Sequence, residues 1–97
     1  ALADYTDFLR SEADNAWDVV YFDPMFATTV AAARGLDLVR RLARTGGPTS
    51  ADLDQARRVA RRRVVMKDRL PGPELDRLGF TAIQRGRRVC YGTLDAL

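Results

Sequence analysis

Histidine is missing from all 97 residues, and cysteine occurs once, as Cys90. Without an imidazole there is no Ser-His-Asp or Cys-His triad, and the commonest transition-metal ligand is gone. A single thiol excludes an internal disulfide and any zinc site built from several cysteines, so no metal centre is expected. No apolar run approaches the roughly 18 residues of a membrane-spanning helix. No signal peptide opens the chain either, and the expectation is a cytoplasmic protein without membrane contact. Lysine is almost absent: Lys67 is the one lysine among sixteen basic residues, the others being arginine.

What is present suits a globular chain. Hydrophobic residues make up 46% and charged residues 30% of a length typical of a single domain. The net charge of +3 hides an asymmetry. Residues 1–27 hold one basic and six acidic residues, while residues 28–97 hold fifteen basic and seven acidic ones. The basic portion is compatible with an anionic partner such as nucleic acid. Arginine filling solvated helix faces is the plainer reading of the same pattern.

Leu2, Tyr5, Phe8 and Leu9 follow helical spacing from the outset. An amphipathic helix that begins so early, in a chain starting with Ala1, suggests a piece cut from something longer. Asp14-Asn15 supply turn chemistry after this helix. The run Trp17 to Phe22, rich in β-branched and aromatic residues, predicts a strand covered on both faces and stopped by Asp23-Pro24. A second helix is predicted from Thr29 to Arg44, with Ala32, Leu36, Val39 and Ala43 on one stripe. Thr49 and Asp52 resemble a capping box opening a third helix, with Leu53, Ala56 and Ala60 on its buried face. Arg61-Arg62-Arg63 reads as a basic run at the end of that helix.

Arg63 to Lys67 predicts a second strand, followed by a loop with Pro71-Gly72-Pro73. One or two helical turns are expected over Glu74 to Leu78, closed by Gly79. Phe80 to Gln84 and Arg88 to Leu94, around Arg85-Gly86-Arg87, predict a terminal hairpin. Strands alternating with helices point to an α/β sheet of mostly parallel strands with an antiparallel edge.

Ligands in open α/β sheets bind beyond the carboxyl ends of the strands. Two such ends are visible, Asp23-Pro24-Met25-Phe26 and Lys67-Asp68-Arg69. The Asp23 carboxylate accepts hydrogen bonds from an amine or a hydroxyl, the Pro24 carbonyl offers a second acceptor, and Phe26 a face for stacking a base. Asp-Pro is equally a common turn, Phe26 equally suits a core, and Lys67 and Arg69 equally suit a solvated loop. Cys90, inside a strand pattern and without a histidine to activate it, reads as a small buried hydrophobe. Trp17 and Tyr21 read as packing residues.

The stretch Asp18 to Phe26 resembles the fourth motif of class I S-adenosylmethionine-dependent methyltransferases that modify exocyclic amines. More narrowly, its Asp-Pro-Met-Phe resembles the ribosomal RNA small-subunit methyltransferase J family and uncharacterised relatives. Ala56 to Lys67, ending Val-Val-Met-Lys, is similar to a helix-into-strand block of that family, and Val89-Cys90-Tyr91-Gly92 to its last strand. The likeness spans Trp17 to Thr93, with Ala27 standing where the family often has proline.

The resemblance implies a partial Rossmann-like methyltransferase sheet, strands four to seven, with an antiparallel C-terminal hairpin. Residues 1–97 would then be the C-terminal part of one methyltransferase domain, and the cofactor-binding N-terminal part would precede Ala1. Indeed no G-x-G pattern occurs in the chain. It implies Asp23, Pro24 and Phe26 as catalytic residues and Asp23 beside S-adenosylmethionine. Lys67 and Arg69 would contact substrate, and the substrate would be an exocyclic amine of guanine in ribosomal RNA. The Trp17–Phe22 strand would then have an open edge, to be covered by the rest of the protein or a partner chain. A competing expectation is a non-catalytic basic nucleic-acid-binding or assembly module that keeps half of such a fold. A third is an unrelated α/β interaction domain in which Asp23-Pro24 is only a turn.

Overall fold

The computed structural model describes residues 3–24, 28–34, 38–43 and 47–97, without the side chains of residues 3, 28, 38–43 and 82. In chain order the elements are β1 (Ala3–Asp4), α1 (Tyr5–Ser11), β2 (Trp17–Asp23), β3 (Thr28–Ala33), β4 (Leu38–Ala43) and α2 (Ser50–Val59). There follow β5 (Ala60–Arg69), α3 (Pro73–Leu78), β6 (Ala82–Arg85) and β7 (Val89–Asp95). Among the described residues the strands form one mixed sheet in the order β1-β4-β3-β2-β5-β7-β6. The α/β class is as expected, but the sheet is not mostly parallel: among the described residues only β1–β4 and β2–β5 pair in parallel, and the other four pairings are antiparallel. None of the helices among the described residues is long and apolar enough to cross a membrane.

Local chemistry sets the helix boundaries. Asp4 caps α1 by accepting from the Thr6 and Asp7 amides. Thr49 and Asp52 form the expected capping box, each bonding the other's backbone amide at the start of α2. Asp52 is buried, and its second oxygen accepts from the Thr6 hydroxyl at 2.8 Å, tying α2 to α1. Arg58 closes α1 from α2. It donates to the carbonyls of Leu9 and Glu12, both at 2.8 Å, and to the Asp14 carboxylate at 2.7 Å. A cation on the last carbonyls of a helix satisfies acceptors the helix leaves open. Gly79, at φ 81°, ends α3 as its residue type suggests.

Residues at alternate positions of a strand face opposite sides. Val20 and Phe22 of β2, Val64 and Met66 of β5 and Cys90 of β7 turn to one side. There they form a single core with Tyr5 and Leu9, with Leu53, Ala56 and Val59, and with Leu75. These residues come from all three helices, so the described helices pack on one face. At Gly92 a Cβ would come within 2.8 Å of both Leu75 and Phe80, and only glycine lets α3 lie this close to β7. Cys90 is fully buried in that core, as expected of a small hydrophobe. Burial is also the main cause that pushes its thiol pKa up.

Three further expectations are corrected here. The first is the helix over 29–44. Residues 35–37 and 44 lie outside the described residues, but Thr28–Ala33 and Leu38–Ala43 run as antiparallel strands. The second is the open edge on Trp17–Phe22, which β3 pairs from Val19↔Ala32 to Asp23↔Thr28. One physical cause accounts for both. An apolar strand with an unpaired edge leaves a row of amides and carbonyls unsatisfied, and the adjacent Thr28-Thr29-Val30 is β-branched and suited to pair with it. No partner chain is needed to cover that edge.

The third correction concerns Arg61-Arg62-Arg63. These residues sit in β5 and not at a helix end, all three exposed beside a register shift between Trp17 and Val19. Arg61 pairs with Asp18 at 2.7 Å. Trp17, as expected, packs against the core, its indole N–H donating to Glu12 at 2.7 Å.

Candidate functional site at the carboxyl ends of β2 and β5

β2 and β5 are neighbours and parallel, with Phe22 opposite Met66. The next residue of each strand is therefore Asp23 and Lys67, and the two loops read from the sequence meet. Lys67 Nζ lies 3.3 Å from Asp23 Oδ2, with 16% and 13% of the respective side chains exposed. The other carboxylate oxygen, Oδ1, is buried and has no hydrogen-bond partner among the described residues. A buried carboxylate oxygen without a donor forgoes a charge-assisted hydrogen bond worth about 1.5–3 kcal/mol. Its capacity to accept a hydrogen bond is unused among the described residues.

Pro24 follows directly and lines a cleft of about 420 Å³ with Gly47, Asp68, Arg69 and Glu74. Four residues singled out from the sequence, Asp23, Pro24, Lys67 and Arg69, are thus gathered at one end of the sheet. Phe26 lies outside the described residues. Lys67 is engaged with Asp23, so its first role is to hold that carboxylate in place. Arg69 is exposed at the cleft wall. Among the described residues no group of three or more His, Cys, Asp or Glu side chains is placed to hold a metal ion.

Two neighbours of the site were given no such role from the sequence. Asp68 is 7% exposed and faces the helix side. Its carboxylate accepts from the amides of Glu74 at 2.9 Å, Leu75 at 3.3 Å and Arg69 at 2.8 Å. Gly72 at the start of α3 has no side chain to cap that helix, and Asp68 does so from β5. Its position four residues before a Gly-Pro helix start was the available signal.

Tyr21 is the other neighbour, two residues before Asp23 and on the same, helix-free face. It is half-buried and lies outside the core cluster on the helix side. Burial foremost, then the Asp23 carboxylate and Tyr91, push its phenol up to about 12 from 10.0. The folded state holds this proton more tightly than the unfolded chain, so the stabilisation is complete below pH 10 and is lost as pH rises through about 12. An ultraviolet phenolate titration should show a component near pH 12 that Tyr21→Phe removes.

Comparison with known proteins adds a relative but no activity. Uncharacterized protein YpiP of Bacillus subtilis (strain 168) is 37% identical over 93 residues, which are 95% of this chain and 36% of that protein. The chain thus spans about a third of the length of the curated relative it matches. No protein-family model matches the chain, and no solved structure matches it.

Proposed function

We propose that the chain supplies the catalytic, C-terminal half of an S-adenosylmethionine-dependent N-methyltransferase acting on an exocyclic amine of guanine in ribosomal RNA. The observation that carries this reading is the half-satisfied carboxylate of Asp23: buried, fixed on one oxygen by Lys67 and lacking a donor on the other. It stands at the carboxyl end of a parallel strand, followed by Pro24 and a cleft.

S-adenosylmethionine, when bound, supplies an electrophilic methyl group. The residues present fit the reacting end of such a site, because Asp23 Oδ1 is an acceptor without a donor. Asp23 would hold one N–H of the target amine, and the Pro24 carbonyl would hold the other. Two acceptors in fixed positions leave the nitrogen lone pair pointing in one direction. Lys67 keeps the carboxylate in its accepting orientation. Alignment of this kind is the main contribution in a direct displacement and removes several kcal/mol from the barrier. Phe26 would stack on the base, and Arg69 would meet the adjoining phosphate.

The cofactor's adenosine would be held by sequence that the resemblance puts before Ala1. The 97-residue chain alone should therefore show no measurable S-adenosylmethionine binding by calorimetry, while the full-length gene product binds it and methylates RNA. Micromolar binding by the 97 residues alone, or none by the full-length product, would contradict the proposal.

A further inference from the structure

Positive charge that the fold leaves unanswered gathers at the carboxyl end of the sheet, beside the cleft. Arg69 ends β5 and lies opposite Val89, the first residue of β7. The β6–β7 turn therefore stands next to the cleft wall, and it carries Arg87 and Arg88. With strands about 4.8 Å apart, the backbone of Arg88 comes within roughly 5–8 Å of that of Arg69. The Gly86 amide donates to the Val89 carbonyl at 2.8 Å and holds the turn closed.

Arg69, Arg87 and Arg88 are exposed, and their side chains make no hydrogen bond or ion pair with another described residue. The carboxylates that line the cleft are engaged elsewhere. Asp68 accepts from three backbone amides, and Glu74 pairs with Arg77 at 3.0 Å. Arg85 does not belong to this group, because its pairing with Cys90 turns it to the helix side. From Gln84 to Arg88 the turn has no apolar side chain, so a protein layer laid on it would desolvate guanidiniums without compensation. Helices that cover a sheet lie on its faces and leave the ends of its strands to loops, where ligands bind. The openness of this rim therefore does not depend on what covers the helix-free face in a longer protein. Guanidiniums placed side by side suit phosphates, which they bind through charge-assisted, bidentate hydrogen bonds.

We infer that Arg69, Arg87 and Arg88 form a phosphate-binding rim that grips single-stranded RNA next to the nucleotide in the cleft between Pro24 and Glu74. A single strand is the fitting form, because a base must leave its duplex to enter a cleft. This inference rests on the reading above for the identity of the strand and for the nucleotide in the cleft. Binding at the rim itself needs no reaction.

Fluorescence anisotropy of a labelled single-stranded oligoribonucleotide with the full-length gene product, without S-adenosylmethionine, tests it. Arg87→Ala combined with Arg88→Ala removes two phosphate contacts and should reduce the slope of log K against log salt by about 1.4. Affinity should then fall about 25-fold at 0.1 M salt and only about two- to threefold at 0.5 M. Adding Arg69→Ala should take a further 0.7 or about that from the slope. Arg10→Ala combined with Arg62→Ala removes the same charge from exposed sites in the last turn of α1 and near the start of β5. That pair should leave affinity within about twofold of the parent, since charges beyond a Debye length are screened. Because the assay needs no turnover, rim-dependent binding by a protein that transfers no methyl group supports the rim and sinks the reaction. Methyl transfer to RNA by a protein whose rim variants bind like the parent does the reverse. Equal losses in the two double variants, at parental Tm, would overturn the rim by showing a diffuse effect of net charge. So would tighter binding to duplex RNA or to phosphatidylglycerol vesicles, or no binding of RNA at all.

Discussion

Replacing Asp23 by Ala should lower kcat for methyl transfer to RNA by the full-length gene product at least about 100-fold, with a much smaller change in RNA affinity. In the proposed arrangement the carboxylate aligns the amine and does not anchor the RNA. Loss of alignment by about an ångström is enough for a 100-fold rate effect. Asp23→Asn should fall between the two, since its amide oxygen can still accept one N–H while the charge facing Lys67 is gone. The assay is transfer of a labelled methyl group under saturating RNA, with thermal unfolding recorded alongside. That control matters because either change removes the carboxylate 3.3 Å from Lys67 Nζ, whose side chain is only 16% exposed. A variant with parental Tm and lost turnover assigns Asp23 to chemistry; normal turnover removes it from the mechanism.

Asp68→Ala should produce the largest loss of stability, about 3 kcal/mol, equivalent to a Tm fall of about 10–20 °C in a chain of this size. The carboxylate is 7% exposed and accepts from three backbone amides. Alanine fills none of those bonds, and the Leu75 amide is left unpaired in the core. Without its cap, α3 also loosens Leu75 and Phe80, which pack against Gly92. Asp68→Asn retains an acceptor and should lose about half as much. Thermal unfolding followed by circular dichroism reads both, and a Tm within 2 °C of the parent, about the shift of a fraction of a kcal/mol, would contradict the capping role.

Neighbouring residues with local chemistry were the legible part of this chain. The Thr49–Asp52 box, the Gly79 stop and the terminal hairpin follow from side chains that act within a few positions of themselves. The meeting of Asp23 and Lys67 was half legible: both ends were visible as strand ends, but only the parallel pairing of β2 with β5 brings them together. The stretch from Thr28 to Ala43 was read in the wrong period. Its alanines suit a helix or a strand equally, and the need of the β2 edge for a partner decided between them. That need is tertiary and leaves no mark within the stretch. Tyr91 was read only as part of a last strand, because its exposure depends on all three described helices choosing the opposite face. Arg58 acts across 49 positions of sequence, beyond the reach of any capping rule applied locally, whereas Asp68 acts across 6 and left a readable signal before the Gly-Pro helix start.

The central claim is that this site methylates an exocyclic amine. Mass spectrometry of nucleosides from ribosomal RNA, compared between cells with and without the gene, tests it most directly. Deletion should remove one nucleoside methylated on an exocyclic nitrogen, and the parent gene should restore it where Asp23→Ala does not. An identical set of methylated nucleosides in both cells would contradict the claim.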